Sequence, residues 1–439
     1  MRTRWLVPAI VAIGLAVRIA LLPTEGFAGD IDQFVSWVGH ISRDGLGHAY
    51  DVQLSFGPVM AFVWWLLGLI DPNLAAAANS ADPAVRIVMK LPAVIADLAL
   101  AGTVWLALRY RPRLAAAAVA VILLHPAIWF VSAWWGTYDS VYVAFAAAAF
   151  VLAARGRDSL AAVSLALALM TKPQAAPLVV PFVAWFLARA FATARANGVG
   201  SGLRLLLVPA AAGALTLVIL WLPFIPAGGP ANYVEGLGRY QGDLYGLLSL
   251  AAWNPWWIVQ EVAAGGSYIQ DGAALVGGVS FRAVGYLATG ATLLLIAVCV
   301  ARRPSPRLLA LGMATASLAA FELLTTMHER YAFAVLPMLV FVLDDHRFRW
   351  AVGVFGVTFF LGLVAASAHY LGGIVPLHGP VTVVGSLVNL AVLAFLMLAM
   401  WHDAGSPEPA SAINEAGGPA LRGAPFDTSA GSAGATSAA

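Results

Sequence analysis

Long apolar runs constrain this chain more than any other feature. Runs of spanning or near-spanning length occur at 5–22, 84–108, 113–132, 138–154, 158–171, 174–192, 204–224, 281–301, 306–326, 331–343, 350–370 and 379–401. Such segments read as membrane helices. With 61% hydrophobic and 10% charged residues among 439, lipid is the main solvent, and only helices or closed barrels satisfy backbone polar groups there. No barrel-strand alternation occurs, so the expected fold is all-α, a polytopic membrane protein of about twelve transmembrane helices.

A further run, Phe56 to Ile70, is decided by charge. Counting twelve crossings puts Arg2/Arg4, Arg109/Arg111/Arg113, Arg155/Arg157, Arg189/Arg195/Arg204, Arg302/Arg303/Arg307 and Arg347/Arg349 all on the cytoplasmic side, as the positive-inside rule requires. A thirteenth crossing would reverse every later cluster. The run at 56–70 is therefore expected to be a re-entrant or interfacial helix on the outer face, opened by Gly57-Pro58 and carrying Trp64 and Trp65 at headgroup level. Both termini then lie in the cytoplasm. The outer loops are 23–83, 133–137 with Tyr138 and Asp139, 225–280, and the turn Met327-His328-Glu329-Arg330. The transmembrane unit is expected to occupy 1–402, followed by a disordered cytoplasmic tail, 403–439, rich in Ala, Gly, Ser and Pro.

Several chemistries are disfavoured. Cys299 is the only cysteine, so neither a disulfide framework nor a thiolate metal site is expected. His125, His369 and His402 show no ligand spacing, and no catalytic metal or other cofactor is expected. No nucleotide-binding glycine loop occurs, which argues against an ATP-driven pump. A net charge of +2 gives no reason to expect a nucleic-acid partner. The N-terminal apolar stretch, interrupted by Arg18 and lacking a clean cleavage site, reads as a retained first helix. Ala- and Arg-rich, Lys-poor usage points to a bacterial plasma membrane.

Two features point to chemistry at the outer surface. The first is the acidic stretch Gly29-Asp30-Ile31-Asp32-Gln33-Phe34-Val35-Ser36-Trp37, placed where the first apolar run leaves the membrane. Residues 30–43 read as an amphipathic helix along that surface, with Ile31, Phe34, Val35, Val38 and Ile41 on one face and Gln33, Ser36, His40 and Arg43 opposite. Asp30 and Asp32 are candidate general bases, and helix capping or dipole stabilisation explains them equally well. The second feature is two short runs, Ser159 to Thr171 and Tyr331 to Leu343. At 1.5 Å per residue each is about 20 Å long, against a hydrocarbon core of roughly 30 Å. Lys172 and Arg330 should therefore sit below the outer surface, where cations mark a site unless they snorkel. Together with His328 they form a set suited to a lipid phosphate.

In order and sidedness, these segments resemble the GT-C superfamily of integral-membrane glycosyltransferases, which take polyprenyl-phosphate sugars as donors. Gly29-Asp30-Ile31-Asp32 with Trp37 resembles the first outer loop of the dolichyl-phosphate-glucose glucosyltransferases of N-glycan assembly, where the Asp after the glycine is the base. Phe56-Gly57-Pro58 stands where a Tyr-Pro-Pro stretch is common, and Ile95-Ala96-Asp97-Leu98 resembles part of their second spanning helix. Trp134-Trp135-Gly136-Thr137-Tyr138-Asp139-Ser140 is similar to a Trp-Gly-Gln-x-Asp-Ser turn of bacterial members, with Thr137 replacing the usual Gln. Thr171-Lys172-Pro173-Gln174 resembles a Lys-x-Gln segment, Ala252-Trp253-Asn254-Pro255-Trp256 an Asn-x-Trp element, and His328-Glu329-Arg330-Tyr331 the His-Glu-Lys/Arg motif facing the lipid phosphate.

The resemblance implies a GT-C fold with amphipathic outer-loop helices and a metal-independent, inverting hexosyl transfer on the extracytoplasmic face. Asp30 is then the base, with Asp32 in reserve, and Lys172, His328 and Arg330 hold the donor phosphate. Asp139, Gln174, Tyr240, Asn254 and Glu329 are expected to bind substrate, and the loop 225–280, which carries Tyr233, Arg239, Tyr240, Asp243 and Asn254, is expected to close over donor or acceptor. The donor is expected to be a polyprenyl-phosphate sugar, with mannose ahead of glucose and arabinose. The acceptor is expected to be a lipid-linked or cell-envelope glycan. Trp134, Trp135, Trp256 and Trp257 are more simply explained as an interfacial belt. A secondary transporter or flippase, or a glycan ligase using a lipid-diphosphate donor, remains the alternative.

Overall fold

The computed structural model describes residues 5–406, apart from the side chains of residues 243 and 244. Most of the expected tail, Arg2, Arg4 and the Asp243 side chain thus lie outside the described residues. Eighteen helices follow in order. They are α1 (Leu6–Leu21), α2 (Ala28–Asp44), α3 (Pro58–Ile70), α4 (Pro72–Ala76), α5 (Pro83–Leu108) and α6 (Pro112–Leu124). Next come α7 (Pro126–Trp129), α8 (Asp139–Ala154), α9 (Asp158–Leu169), α10 (Ala176–Asn197), α11 (Val199–Trp221) and α12 (Gly229–Arg239). The last six are α13 (Pro255–Ala264), α14 (Phe281–Arg302), α15 (Pro306–Leu323), α16 (Val335–Leu339), α17 (His346–Ala366) and α18 (Pro380–Gly405). Four short strands, β1 (Ser249–Leu250), β2 (Ala274–Val276), β3 (Val279–Ser280) and β4 (Met327–His328), pair as β1–β4 in parallel and β2–β3 antiparallel.

Every expected apolar run contains helix, but the count of twelve spans is not reached. Among the described residues, six helices are long and apolar enough to cross a membrane. A seventh is added if Pro112–Leu124 and Pro126–Trp135, bent by 41°, form one span. The runs at 5–22, 138–154, 158–171, 306–326 and 331–343 fall short. The last is interrupted most: turns extend to Ala334, α16 has five residues, and a 3-10 segment follows. Helix α15 falls short for another reason. All of its residues from Arg307 to Glu322 are buried, so its solvent is protein, and its alanines, glycine and serine let neighbouring helices approach closely.

The two ends of the bundle differ. At the start of α15, Arg307 bridges Asp345 (2.7 Å) and Asp403 (3.0 Å), and Arg347 joins the same two carboxylates at 2.6 and 3.2 Å. At its other end, Phe321 and Leu324 line a cavity. The loops around that cavity carry the residues singled out from the sequence.

The surface helix α2 buries Ile31, Phe34, Val35, Val38 and Ile41, as its periodicity requires, together with Trp37. It packs on α3 through an aromatic cluster of Phe34, Trp37, Phe56, Trp64 and Tyr138, with Trp37 and Trp64 ring centroids 5.1 Å apart. Trp64 is thus a core residue, contrary to its expected place in a headgroup belt. Its ring gains contacts with Phe34, Trp37, Phe56 and Tyr138 there, although its indole N–H is left without a partner. Trp135 and Trp257 are likewise buried, and the Trp256 indole donates to the Leu323 carbonyl at 2.9 Å.

Helix α3 is docked end-on to the loop that carries Lys172. The Gly57 N–H donates to the Thr171 carbonyl (3.1 Å) and Val59 N–H to Met170 (3.0 Å). A Cβ on Gly57 would lie 2.2 Å from the Met170 carbonyl oxygen, and backbone on both sides cannot yield as a side-chain tip can. Gly57→Ala is expected to cost about 1–3 kcal/mol of stability by overpacking. Thermal unfolding of the purified protein in detergent checks this, and an unchanged midpoint would contradict the tight contact.

Candidate active site

Asp30 lies in the first turn of α2 and faces a cavity of about 750 Å³. The helix is capped at Phe27 with no side-chain cap bond, which removes the capping explanation for Asp30. The Asp30 carboxylate accepts from the Trp135 indole N–H at 2.9 Å and lies 3.3 Å from the Arg330 guanidinium. Two residues on, about 200° around the helix, Asp32 points elsewhere. It accepts from the Ser80 amide (2.7 Å) and hydroxyl (2.5 Å), fastening α2 to the loop between α4 and α5, and does not line the cavity.

The cationic side of the cavity is built from two broken helices. After α9 ends at Leu169, Lys172 is extended and Pro173 prevents immediate continuation. Lys172 is 5% exposed and its ammonium donates to Asp139 at 2.6 Å, while the Thr137 hydroxyl donates to the other Asp139 oxygen at 2.8 Å. Lys172 also lies over the rings of Phe56 and Tyr331, at 5.5 and 5.2 Å. It therefore does not snorkel. Asp139 is fully buried and absent from the cavity wall, so its place is behind Lys172.

The second break carries His328, Glu329 and Arg330. Pairing of β4 with β1 and a left-handed Thr326, at φ 64°, turn the chain just before them. Arg330 donates to Glu329 at 2.7 Å, packs over the Trp135 ring at 5.3 Å, and keeps its Nε without a hydrogen-bond partner. His328 stands 3.8 Å from Glu329, edge-on to Tyr245. Burial by itself would raise the Glu329 carboxyl, but Arg330 and His328 outweigh it and hold it down at about 2.

Gln174 and Tyr240 also line the cavity. The Gln174 side-chain oxygen is buried without a partner, and the Tyr240 hydroxyl accepts from Gln33 at 3.1 Å. Asn254 does not reach the cavity. It caps α13 by accepting from the Trp257 amide (3.0 Å) and donates to the Phe321 carbonyl (3.0 Å), so its role is to fasten α13 to α15. Trp135, Gln33, Tyr245 and Tyr331 are lining residues that sequence reasoning left out of the site. The signal for Trp135 was its place before Gly136, whose φ of 91° turns the chain towards Asp139.

A sequence model of the ALG6, ALG8 glycosyltransferase family matches residues 50–375. The chain belongs to that family. It is a multi-pass membrane glycosyltransferase of the GT-C superfamily, as the motifs anticipated. The match begins after Asp30 and Asp32. No curated protein matches the sequence. Among solved structures, this glycosyltransferase is similar to ArnT from Cupriavidus metallidurans bound to undecaprenyl phosphate, with 15% identity and a TM-score of 0.46 over 92% of this chain and 78% of that one.

The Glu329 pairing makes a pH prediction. Unfolded, this carboxyl titrates near 4.5; folded, near 2. A depressed folded value contributes stability above the unfolded value, and that contribution disappears as pH falls from 4.5 towards 2. Glu329→Gln is expected to flatten this part of the acid-unfolding curve while leaving the slope above pH 6 unchanged. Equal acid sensitivity in variant and wild type would remove the proposed charge pairing.

Proposed function

We propose that this enzyme transfers a hexose, mannose in the first instance, from a polyprenyl-phosphate sugar to a lipid-linked or cell-envelope glycan. The transfer inverts the anomeric centre and occurs on the extracytoplasmic face of the plasma membrane. The observation that carries this reading is the Asp30–Arg330 contact at 3.3 Å, with Lys172 and His328 on the same cavity wall. A carboxylate that can accept a proton stands beside cations that can hold a leaving phosphate. The sidedness rests on the arginine distribution among the loops.

In the proposed step, Asp30 takes the proton of an acceptor hydroxyl as that oxygen bonds to the anomeric carbon. The bond from that carbon to the phosphate oxygen breaks, and its electron pair leaves on polyprenyl phosphate. The phosphodiester gains one negative charge as Asp30 loses one. Arg330 lies against Asp30 and has a free Nε donor, so it can stabilise the charge at both stages without moving far. Lys172, anchored by Asp139, and His328 complete the phosphate site. Between α10, α14 and α15 the cavity is walled by Ala176, Pro177, Leu293, Ala320 and Phe321, an apolar course suited to an isoprenoid chain. Gln33, Tyr240 and Gln174 offer hydrogen bonds to sugar hydroxyls.

Transfer of labelled sugar from polyprenyl-phosphate mannose, with the glucose donor in parallel, tests this. Asp30→Asn keeps the shape and the hydrogen bond from Trp135 but cannot take a proton. Its rate is expected to fall by roughly 10²–10⁴ in a protein that remains folded. Unchanged transfer would deny Asp30 the role of base, and no transfer by wild type from either donor would overturn the donor class.

A further inference from the structure

Away from the cavity, a buried ionic lock joins α1, α5 and the end of α6. Arg18 of α1 and Asp97 of α5 are both 0% exposed, and Asp97 Oδ2 accepts from Arg18 Nε at 2.8 Å and lies 2.7 Å from its Nη2. Arg18 also donates to the carbonyls of Leu123 (2.7 Å) and Ile122 (3.2 Å). These carbonyls are left over at the bend between α6 and α7. Pro126 has no N–H for Ile122, and the Ala127 amide, the ordinary partner of Leu123, donates to the His125 ring at 3.2 Å. Arg18 therefore completes the backbone of a bent span in a region where water cannot do so.

The other face of Asp97 reaches the turn that carries the site. Its Oδ2 accepts from the Ser132 hydroxyl at 2.6 Å, and its Oδ1 accepts from Ser140 at 2.5 Å. Ser132 lies in the π-helical segment Phe130–Trp135, three residues before the indole that donates to Asp30. Ser140 follows Asp139, the anchor of Lys172. Between them the chain reverses at Gly136, with the Gly136 and Thr137 amides both donating to the Val131 carbonyl at 3.1 Å. A π-helical turn has no strong register of its own. One carboxylate clamps both of its flanks.

We propose that Asp97 is a positioning residue for the transfer, acting through Ser132 on the Trp135–Asp30 pair and through Ser140 on the Asp139–Lys172 pair. This rests on the roles proposed above for Asp30 and Lys172. The two limbs differ in what they hold, so they separate kinetically. Loss of the Ser132 bond loosens the base, while loss of the Ser140 bond loosens a phosphate ligand.

Removing Asp97 itself would strand a buried guanidinium and endanger folding. The informative variants are therefore Ser132→Ala and Ser140→Ala, measured with kcat, donor KM and equilibrium binding of polyprenyl phosphate alone. Ser132→Ala is expected to lower kcat about tenfold with binding unchanged. Ser140→Ala is expected to weaken polyprenyl-phosphate binding about tenfold and to raise donor KM with it. Wild-type kcat and binding in both folded variants, with only a lower unfolding temperature, would overturn the proposal and leave Asp97 purely structural.

Asp30→Asn and the Asp139→Asn, Lys172→Met double variant, which removes both buried charges together, serve as references. If these lose rate and binding while the serine variants do not, the positioning role alone falls. If the references match wild type, the base and phosphate assignments fall and the positioning role falls with them.

Discussion

Arg330 lies between Asp30 and Glu329, and the proposed reaction centre depends on that shared guanidinium. It joins the first surface helix to a turn about 300 residues later in the chain, and it stacks on the Trp135 ring that also hydrogen-bonds Asp30. In a low-dielectric site an arginine with two carboxylate neighbours stays charged, and with His328 it holds the Glu329 carboxyl below its ordinary range. A cation free to move would be pulled away by an incoming phosphate. Glu329, held at about 2, keeps it in place.

Around that centre, helices are broken rather than continued. Lys172 and His328–Arg330 each follow a helix or strand that ends early, and each break exposes backbone groups that hydrocarbon would not tolerate. Other parts of the chain satisfy them. Gly57, just before α3, and Val59 within it bond to the Lys172 loop, β1 pairs with β4, and Arg18 caps the carbonyls at the α6–α7 bend. The cavity is thus possible because surface helices and loops supply at one end what water supplies elsewhere. At the opposite end, Arg307 and Arg347 bind Asp345 and Asp403 in a closed network, and no comparable opening is needed.

Much of the site was legible because its residues are chemically costly. A lysine beside Pro173, and an arginine just before a short apolar run, have few roles near a membrane other than binding. The amphipathic period of α2 gave its buried face correctly. Legibility failed where a residue type serves two ends equally well. Asp32 and Asn254 have side chains suited to substrate contacts, yet they fasten loops and cap a helix. Asp139 belongs to the site through Lys172, not through the cavity wall. Tryptophans at a membrane boundary read as a belt, but Trp64 and Trp257 are core, and Trp135 orients the carboxylate. Among the described residues, fewer than twelve helices are long and apolar enough to cross unaided, because α1, α8, α9 and α16 are short and α15, solvated by protein, carries Arg307 and Glu322.

The sequence by itself determined the class, the family and the supply of charges. Hydrocarbon imposes a length and a composition that can be read along one dimension, and motif order is one-dimensional too. Only the tertiary structure decided which of two neighbouring aspartates faces the cavity. A helix turns about 100° per residue, so Asp30 and Asp32 point apart by an angle that means nothing until the packing of α2 on α3 sets its zero. The same holds for the Arg18–Asp97 lock, whose partners are 79 positions apart. Pairing of buried charges is a property of distance in space, and spacing along the chain does not encode it.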